Sequence, residues 1–110
     1  IKHKIPRSSS AATLRPWLVS EIRRNDSWTI NQAGRALSKH DARPWAGTLG
    51  VPTVSVVTSR DSLVAPRKQH NLAQATHATI IEIDGDHLIN WQKPELFTAA
   101  VVDAIRQVRE

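Results

Sequence analysis

The chain has 110 residues, no cysteine and a formal net charge of +5. The lack of cysteine excludes a disulfide framework, and no apolar run approaches the ~20 residues that a membrane-spanning helix needs. Residues 1–50 hold nine basic residues against three acidic ones. Because these basic residues are dispersed and accompany no nucleic-acid motif, we interpret them as a solvated surface. We therefore predict neither a nucleic-acid partner nor a membrane span.

The first part of the chain has a helical pattern. Residues 1–12 are polar, lack a hydrophobic period and are predicted to be a linker or loop. A helix is predicted to start near Thr13, with Pro16 in its first turn, where proline is tolerated. Thr29 begins a Thr-x-x-Gln sequence, the form of a capping box, and is the predicted N-cap of a second helix. Residues 13–43 are thus predicted to contain two short amphipathic helices.

The second part of the chain has a strand, helix, strand pattern. Residues 51–58 and 78–84 are apolar runs that predict two parallel strands, and the first run, β-branched at nearly every position, suits a strand buried on both faces. A crossover helix is predicted between them from Pro66, and a closing amphipathic helix is predicted from Pro94 to residue 108. The core face of the closing helix is predicted to comprise Phe97, Val101, Ala104, Ile105 and Val108.

Asp61 and His87 each follow one of the predicted strands. The carboxyl ends of parallel strands meet at one sheet edge, and neighbouring strands lie about 4.8 Å apart, so the acid can reach the imidazole. A carboxylate that holds one ring nitrogen leaves the other free to act as a base. Two alternatives stay open: Asp61 as the cap of its own turn, and His87 as a solvent-facing turn residue beside Asp84 and Asp86.

The same residues resemble the C-terminal part of an alpha/beta-hydrolase. The shared motifs, in chain order, are Val51-Pro52-Thr53 at the penultimate core strand, Asp61, Val64 and Pro66 in an Asp-x-x-Val-x-Pro acid loop, and Gly85-Asp86-His87 at the triad histidine. The resemblance implies an α/β fold in which residues 44–110 supply the last two parallel core strands with their flanking helices. It also implies that residues 13–43 are the remnant of a helical lid.

One part of the hydrolase pattern is missing from the sequence. The nucleophile elbow, Gly-x-Ser-x-Gly, does not occur, and the serine cluster at residues 8–10 has no flanking glycines. In the family the nucleophile precedes the acid and the histidine. Since the chain also starts with Ile1 and has no methionine, we expect a C-terminal portion of a larger enzyme, whose upstream part carries the nucleophile.

The resemblance implies a serine-type hydrolase that acts on an ester or related acyl substrate and needs no cofactor. His87 would take and return the proton of the serine, and Asp61 would hold the imidazole. The alternatives within the same fold are carbon–carbon bond hydrolysis, epoxide opening and cofactor-free haloperoxidase chemistry. From another class, the chain could be a non-catalytic hydrolase-like binding module. A cytoplasmic location is expected by default; no secretory signal pattern is visible, because the native N-terminus is expected to lie upstream of these residues.

Four tryptophans are many for a chain of this length. Trp91, four residues after His87, is the first candidate for contact with the substrate, and Trp17 and Trp28 are candidates within the predicted lid. Packing in a core is the commoner use of tryptophan. The other histidines form no His-x-x-x-His spacing and are predicted to be surface residues, so no metal site is predicted.

Overall fold

The computed structural model describes residues 9–110, with side chains from residue 14 onward. They divide into two compact units, the first ending at Asp41 and the second spanning Ala42–Glu110. Within the described residues the architecture is mixed α/β, with six helices and a two-stranded parallel sheet. The sheet lies in the second unit, and the first unit is helical.

The first unit contains α1, Ser9–Arg23, and α2, Ser27–Lys39. The predicted start of α1 near Thr13 is wrong, because the helix begins at Ser9 and Pro16 lies inside it. The two alanines before Thr13 are strong helix formers, so the helix extends past the position where proline would be best tolerated. The rest of the predicted linker, residues 1–8, lies outside the described residues.

The N-cap of α2 is Asp26 and not the predicted Thr29. Asp26 Oδ2 accepts hydrogen bonds from Thr29 N at 3.0 Å and from Thr29 Oγ1 at 2.7 Å. A carboxylate is the stronger acceptor for the free amides of a helix start, and its charge also interacts favourably with the helix dipole. Asp26 therefore takes the cap, and Thr29 becomes a donor within the first turn.

The second unit is built on the predicted parallel pair, which is confirmed. β1, Val54–Thr58, and β2, Thr79–Ile83, run parallel in a register from Val54↔Thr79 to Thr58↔Ile83. α4, Pro66–Ala75, joins the two strands, as the sequence predicted. β1 begins three residues later than predicted, because Val51 and Pro52 are exposed and proline has no N–H for a ladder.

Three further helices complete the second unit. α3, Arg43–Ala46, and α5, Ile89–Gln92, are single turns that the sequence did not predict, and α6, Pro94–Arg109, is the predicted closing helix. Both strands contact α4 and α6. Within the second unit, the sheet is thus packed against the crossover helix and the closing helix.

The core of the second unit lies between the sheet and α6. It is formed by buried Ile83, Ile89 and Ala100, with Val56, Ile81 and Phe97 packed against them. The predicted core face of α6 is wrong at Ile105, which is 47% exposed, and it omitted Ala100. Ala100 lies one turn from Phe97 on the same face, and its small side chain lets the helix approach the strands closely. Successive strand residues point to opposite faces of the sheet, so the fully buried Val57 lies on the face opposite to that of Val56.

Candidate active site

Two loops leave the sheet side by side at the carboxyl ends of β1 and β2. The backbone hydrogen bonds continue beyond the strands: Ser59 N donates to Ile83 O and Arg60 N donates to Gly85 O, both at a distance of 3.0 Å. Asp61 follows in the first loop, and His87 follows in the second. The backbone pairing therefore fixes the distance between the two loops before any side chain contributes.

Asp61 and His87 are in direct contact, as their positions after the strands predicted. His87 Nδ1 lies 3.0 Å from Asp61 Oδ2. The Asp61 side chain is 3% exposed and the His87 side chain is 42% exposed. Because a buried carboxylate is less mobile than a surface side chain, the acid provides a fixed point against which the half-exposed imidazole is oriented.

The two acids nearest to His87 in sequence make other contacts. Asp84 Oδ1 accepts a hydrogen bond from Arg60 Nε at 2.5 Å, and Asp84 O accepts one from Lys93 Nζ at 3.0 Å. Asp86 Oδ1 accepts from the backbone N of His87 at 2.7 Å. Among the described contacts the imidazole is hydrogen bonded to Asp61 alone, and neither Asp84 nor Asp86 is bonded to the ring.

Both oxygens of Asp61 are hydrogen bonded. Oδ1 accepts from Leu63 N at 2.9 Å and from Val64 N at 2.8 Å, so the carboxylate also caps its own turn. Oδ2 accepts from Thr58 Oγ1 at 2.9 Å and from Gln69 Nε2 at 3.1 Å, in addition to the imidazole. The turn-capping alternative and the contact with His87 are therefore both present in one side chain.

These contacts keep Asp61 ionised. Burial alone raises the pKa of Asp61, but hydrogen bonds from Val64, His87, Thr58 and Leu63 together hold this pKa below its ordinary value. An ionised carboxylate accepts hydrogen bonds and donates none, so the hydrogen between the two side chains belongs to His87 Nδ1. The other ring nitrogen, Nε2, has no hydrogen-bond partner among the described residues and, in neutral imidazole, can accept a proton.

Asp86 also joins the two loops. It accepts from Ser62 N and Ser62 Oγ, each at 3.0 Å, and from the backbone N of His87. Burial and the negative charge of Asp61 raise the pKa of Asp86, but the bonds from Ser62 and His87 outweigh them and the net effect lowers it. A charged Asp86 thus holds the backbone on either side of the Asp61–His87 contact.

The tryptophans predicted to contact the substrate lie in different units. Trp91 is in α5 of the second unit and is 39% exposed, one helical turn along the chain from His87. Trp17, in α1, is 52% exposed, and Trp28, in α2, is 69% exposed. Because all three keep substantial accessible surface within their units, none is a core residue there, and their role at a substrate stays a prediction.

The remaining histidines lie outside the contact. His40 and His77 are exposed, and half-buried His70 lies 3.2 Å from Glu82 through its Nε2. His3 lies outside the described residues. In residues 9–110 no group of three or more His, Asp or Glu side chains is arranged to hold a metal ion.

Sequence reasoning missed three residues that bond the acid or its loop: Thr58, Gln69 and Ser62. Thr58 ends β1 and Gln69 lies in the first turn of α4, so their side chains meet only once strand register and helix phase are fixed. A threonine as the last residue of a predicted strand, three positions before the candidate acid, was the available signal.

Comparisons of the chain with protein-family models, curated proteins and solved structures found no match. None of the helices in the described part of the chain has both the length and the apolar character needed to cross a membrane. The contacts around Asp61 and His87 are therefore the main guide to function.

Proposed function

We propose that this chain supplies the acid and the general base of a serine-type hydrolase that cleaves an ester or related acyl substrate. The observation that carries the proposal is the 3.0 Å contact between His87 Nδ1 and buried Asp61 Oδ2. His87 Nε2 removes the proton of a serine hydroxyl as it attacks the carbonyl, and later returns that proton to the leaving group. Asp61 holds the ring and stabilises the imidazolium that forms.

Three features of the contact suit this role. The carboxylate is buried and bonded at both oxygens, so the acid cannot rotate away from the ring. The imidazole is half exposed, which leaves room for a substrate at Nε2. The donor at Nδ1 selects the tautomer with a free Nε2, which is the form a general base needs.

The order of parts along the chain supports an alpha/beta-hydrolase in particular. The acid follows the first of two parallel strands, a helix crosses over, and the histidine follows the second strand. The closing helix α6 comes next. This is the order that the family resemblance implies, and residues 13–43 take the place of its helical lid in the proposal.

The nucleophile is proposed to lie outside residues 1–110, because Gly-x-Ser-x-Gly does not occur among them. The partner of this chain is then an upstream segment of the same hydrolase, which also contributes the backbone amides that stabilise the oxyanion. The substrate is a small acyl compound, and Trp91, Trp17 and Trp28 are the candidates to line its pocket. The chemistry needs no cofactor.

The test uses the protein that contains this chain and a fluorophosphonate probe. An activated serine attacks the phosphorus, fluoride leaves, and the serine remains as a stable phosphonate ester. We expect labelling of one serine outside residues 1–110 and turnover of a nitrophenyl acyl ester. His87→Gln should lower kcat by roughly 10³-fold or more, and Asp61→Asn by a comparable factor, because each removes a part of one catalytic unit.

The matched control is His70→Gln. His70 also contacts a carboxylate, that of Glu82, so this variant removes a second imidazole–acid pair outside the proposed site. It should retain full turnover and full labelling. Loss of turnover in His70→Gln but not in His87→Gln would refute the assigned base, and no labelled serine in active protein would refute the serine-type mechanism.

A further inference from the structure

Gln69 makes hydrogen bonds to Asp61 and to residues on either side of it in the chain. Its Oε1 accepts from Thr58 N at 3.0 Å, and its Nε2 lies 3.0 Å from Thr58 Oγ1, 3.1 Å from Asp61 Oδ2 and 2.8 Å from Val64 O. One amide group thus contacts the end of β1, the acid and the loop that follows the acid. These partners lie between Thr58, the last residue of β1, and the loop that precedes α4.

The position requires an amide and not merely a polar side chain. Ser59 N bonds to β2, and ladder groups alternate along a strand, so Thr58 N points away from β2 and needs an acceptor. Asp61 and Val64 O need donors. A glutamine supplies an acceptor at one end and donors at the other, whereas glutamate has no donor when ionised and leucine has neither group.

Thr58 links the carboxylate of Asp61 to the side-chain amide of Gln69. Its hydroxyl donates to Asp61 Oδ2 at 2.9 Å, and its oxygen shares one hydrogen of Gln69 Nε2 with Asp61 Oδ2, because the other hydrogen of that amide is directed at Val64 O. Oδ2 therefore receives Thr58, Gln69 and His87 together, which fixes the oxygen that holds the imidazole in one place. The hydrogen bonds among Thr58, Gln69 and Asp61 form a closed triangle, so each bond strengthens the others.

We propose that Gln69 and Thr58 are positioning residues that hold Asp61 Oδ2 in line with His87 Nδ1. The inference rests on the proposed function, because it assigns a role within the same catalytic unit. Neither residue touches the imidazole in the described contacts, so each acts through Asp61. Their loss leaves Asp61 tied to its own turn through Oδ1 while Oδ2 becomes free to rotate out of line.

The test compares Gln69→Leu with Gln74→Leu. Gln74 lies on the same helix, is exposed, and its side chain makes no described hydrogen bond. In the protein that contains this chain, Gln69→Leu should lower kcat for a nitrophenyl ester on the order of 10- to 100-fold with KM nearly unchanged, because the base is misplaced and not the substrate. Gln74→Leu should leave both constants unchanged.

A second pair keeps the test independent of the folding of Gln69→Leu. Thr58→Val removes the hydroxyl at nearly constant shape and should lower kcat by a similar factor. Thr58→Ser keeps the hydroxyl and should restore turnover. A role confined to stability would reduce the yield and melting temperature of Thr58→Val but not the kcat of the folded fraction.

The tautomer of His87 provides a readout that needs no turnover. With ¹⁵N-labelled histidine, the nitrogen shifts of neutral His87 should report a proton on Nδ1, and the fraction with that tautomer should fall in Gln69→Leu and Thr58→Val. A fall in a protein that hydrolyses no ester would support the positioning role while the hydrolase proposal fails. Unchanged kcat and unchanged tautomer in both folded variants would overturn the positioning role, even if His87→Gln is inactive.

Discussion

Ser62 donates twice to one oxygen of Asp86, through its backbone N and through Oγ, and both donors lie 3.0 Å from Oδ1. The same oxygen accepts from His87 N at 2.7 Å. Ser62 follows Asp61 directly in the chain, so a single carboxylate oxygen joins the two loops beside the Asp61–His87 contact. This tie is independent of the imidazole, because its donors are two backbone amides and the Ser62 hydroxyl and its acceptor is the Asp86 carboxylate.

Asp86→Ala should uncouple the two loops. It removes the acceptor of the Ser62 and His87 backbone amides and of the Ser62 hydroxyl, and each of these exposed hydrogen bonds is worth about 0.5–1.5 kcal/mol. Ser62→Ala removes one hydroxyl bond and should cost only about 0.5–1.5 kcal/mol. Urea unfolding gives the free energies, and hydrogen exchange at the amides of residues 62 and 87 shows whether the opening is local.

Asp103→Ala is the control for loss of an acid from the surface. Asp103 is an exposed residue of α6 whose described contact is a side-chain bond from Gln107. It should change the free energy of unfolding by less than about 0.5 kcal/mol. Equal effects of Asp86→Ala and Asp103→Ala would show that the loops are held by other contacts.

The stability of the second unit should fall in acid because of Asp61. Burial raises the pKa of Asp61, but its hydrogen bonds lower this pKa by more than burial raises it. The folded protein therefore binds a proton at Asp61 less readily than the unfolded chain. The stabilisation is complete above the ordinary carboxyl pKa of about 3.9 and is lost as the pH falls from there through the lower folded value. Asp86 contributes with the same sign.

The measurement is the free energy of unfolding from urea titrations across this acidic range. The slope of stability against pH should be smaller in Asp61→Asn than in the wild type, whatever the stability of the variant at neutral pH. An identical slope in Asp61→Asn would contradict the lowered pKa of the acid.

Gly85→Ala should disturb the histidine loop by overpacking. A Cβ at Gly85 would lie 2.1 Å from Ile89 Cδ1 and 2.7 Å from its Cγ1, and Ile89 is 2% exposed in the core. We expect a loss of about 1–3 kcal/mol. Ile89→Ala alone should cost about 2–5 kcal/mol, and the double variant should cost less than the sum because the added methyl enters the space that isoleucine leaves.

Gly34→Ala is the matched control for this substitution. Gly34 lies inside α2, and a Cβ there meets no atom within 4 Å. Alanine favours the helix, so this variant should gain roughly 0.5–1 kcal/mol in the free energy of unfolding of its unit. Strict additivity in the Gly85 and Ile89 cycle would show that the two side chains do not compete for space.

β1 has an open edge, and we expect residues 1–110 expressed alone to aggregate or remain partly unfolded. Within the described residues β1 pairs with β2 alone. Ser59 N and Thr53 O bond toward β2, so by alternation Val54 and Val56 direct their backbone groups away from it. Such an edge is a template for pairing with another strand.

Two proline variants separate the edges of this strand. Val54→Pro removes an N–H from the open edge and should reduce aggregation of the isolated chain while the circular dichroism spectrum is retained. Ser55→Pro removes an N–H that faces β2 and should unfold the second unit. Light scattering after size-exclusion chromatography measures the association. A monomeric wild-type chain with a cooperative melt would contradict the prediction.

The sequence predicted the parts of the fold and site that depend on local pattern. β-branched runs identified both strands, and the positions of Asp61 and His87 after those strands predicted their contact. The start of α1 at Ser9 and the N-cap of α2 at Asp26 were missed, because competing caps and helix formers lie within a few residues of each other. Gln69 was missed because its contact with the acid depends on the phase of α4 against the end of β1, which the periodicity of either segment does not contain.

Every described hydrogen bond to Asp61 comes from the stretch between Thr58 and His87. Asp61, His87 and the groups that hold Asp61 are therefore carried by one continuous strand–helix–strand segment. If the chain were interrupted anywhere before β1, Asp61 and His87 would lie on the same side of the break and could keep their contact. Under the proposed function, the protein would suit split-enzyme complementation, in which a separately expressed front piece docks on the open strand and brings the nucleophile and the oxyanion amides.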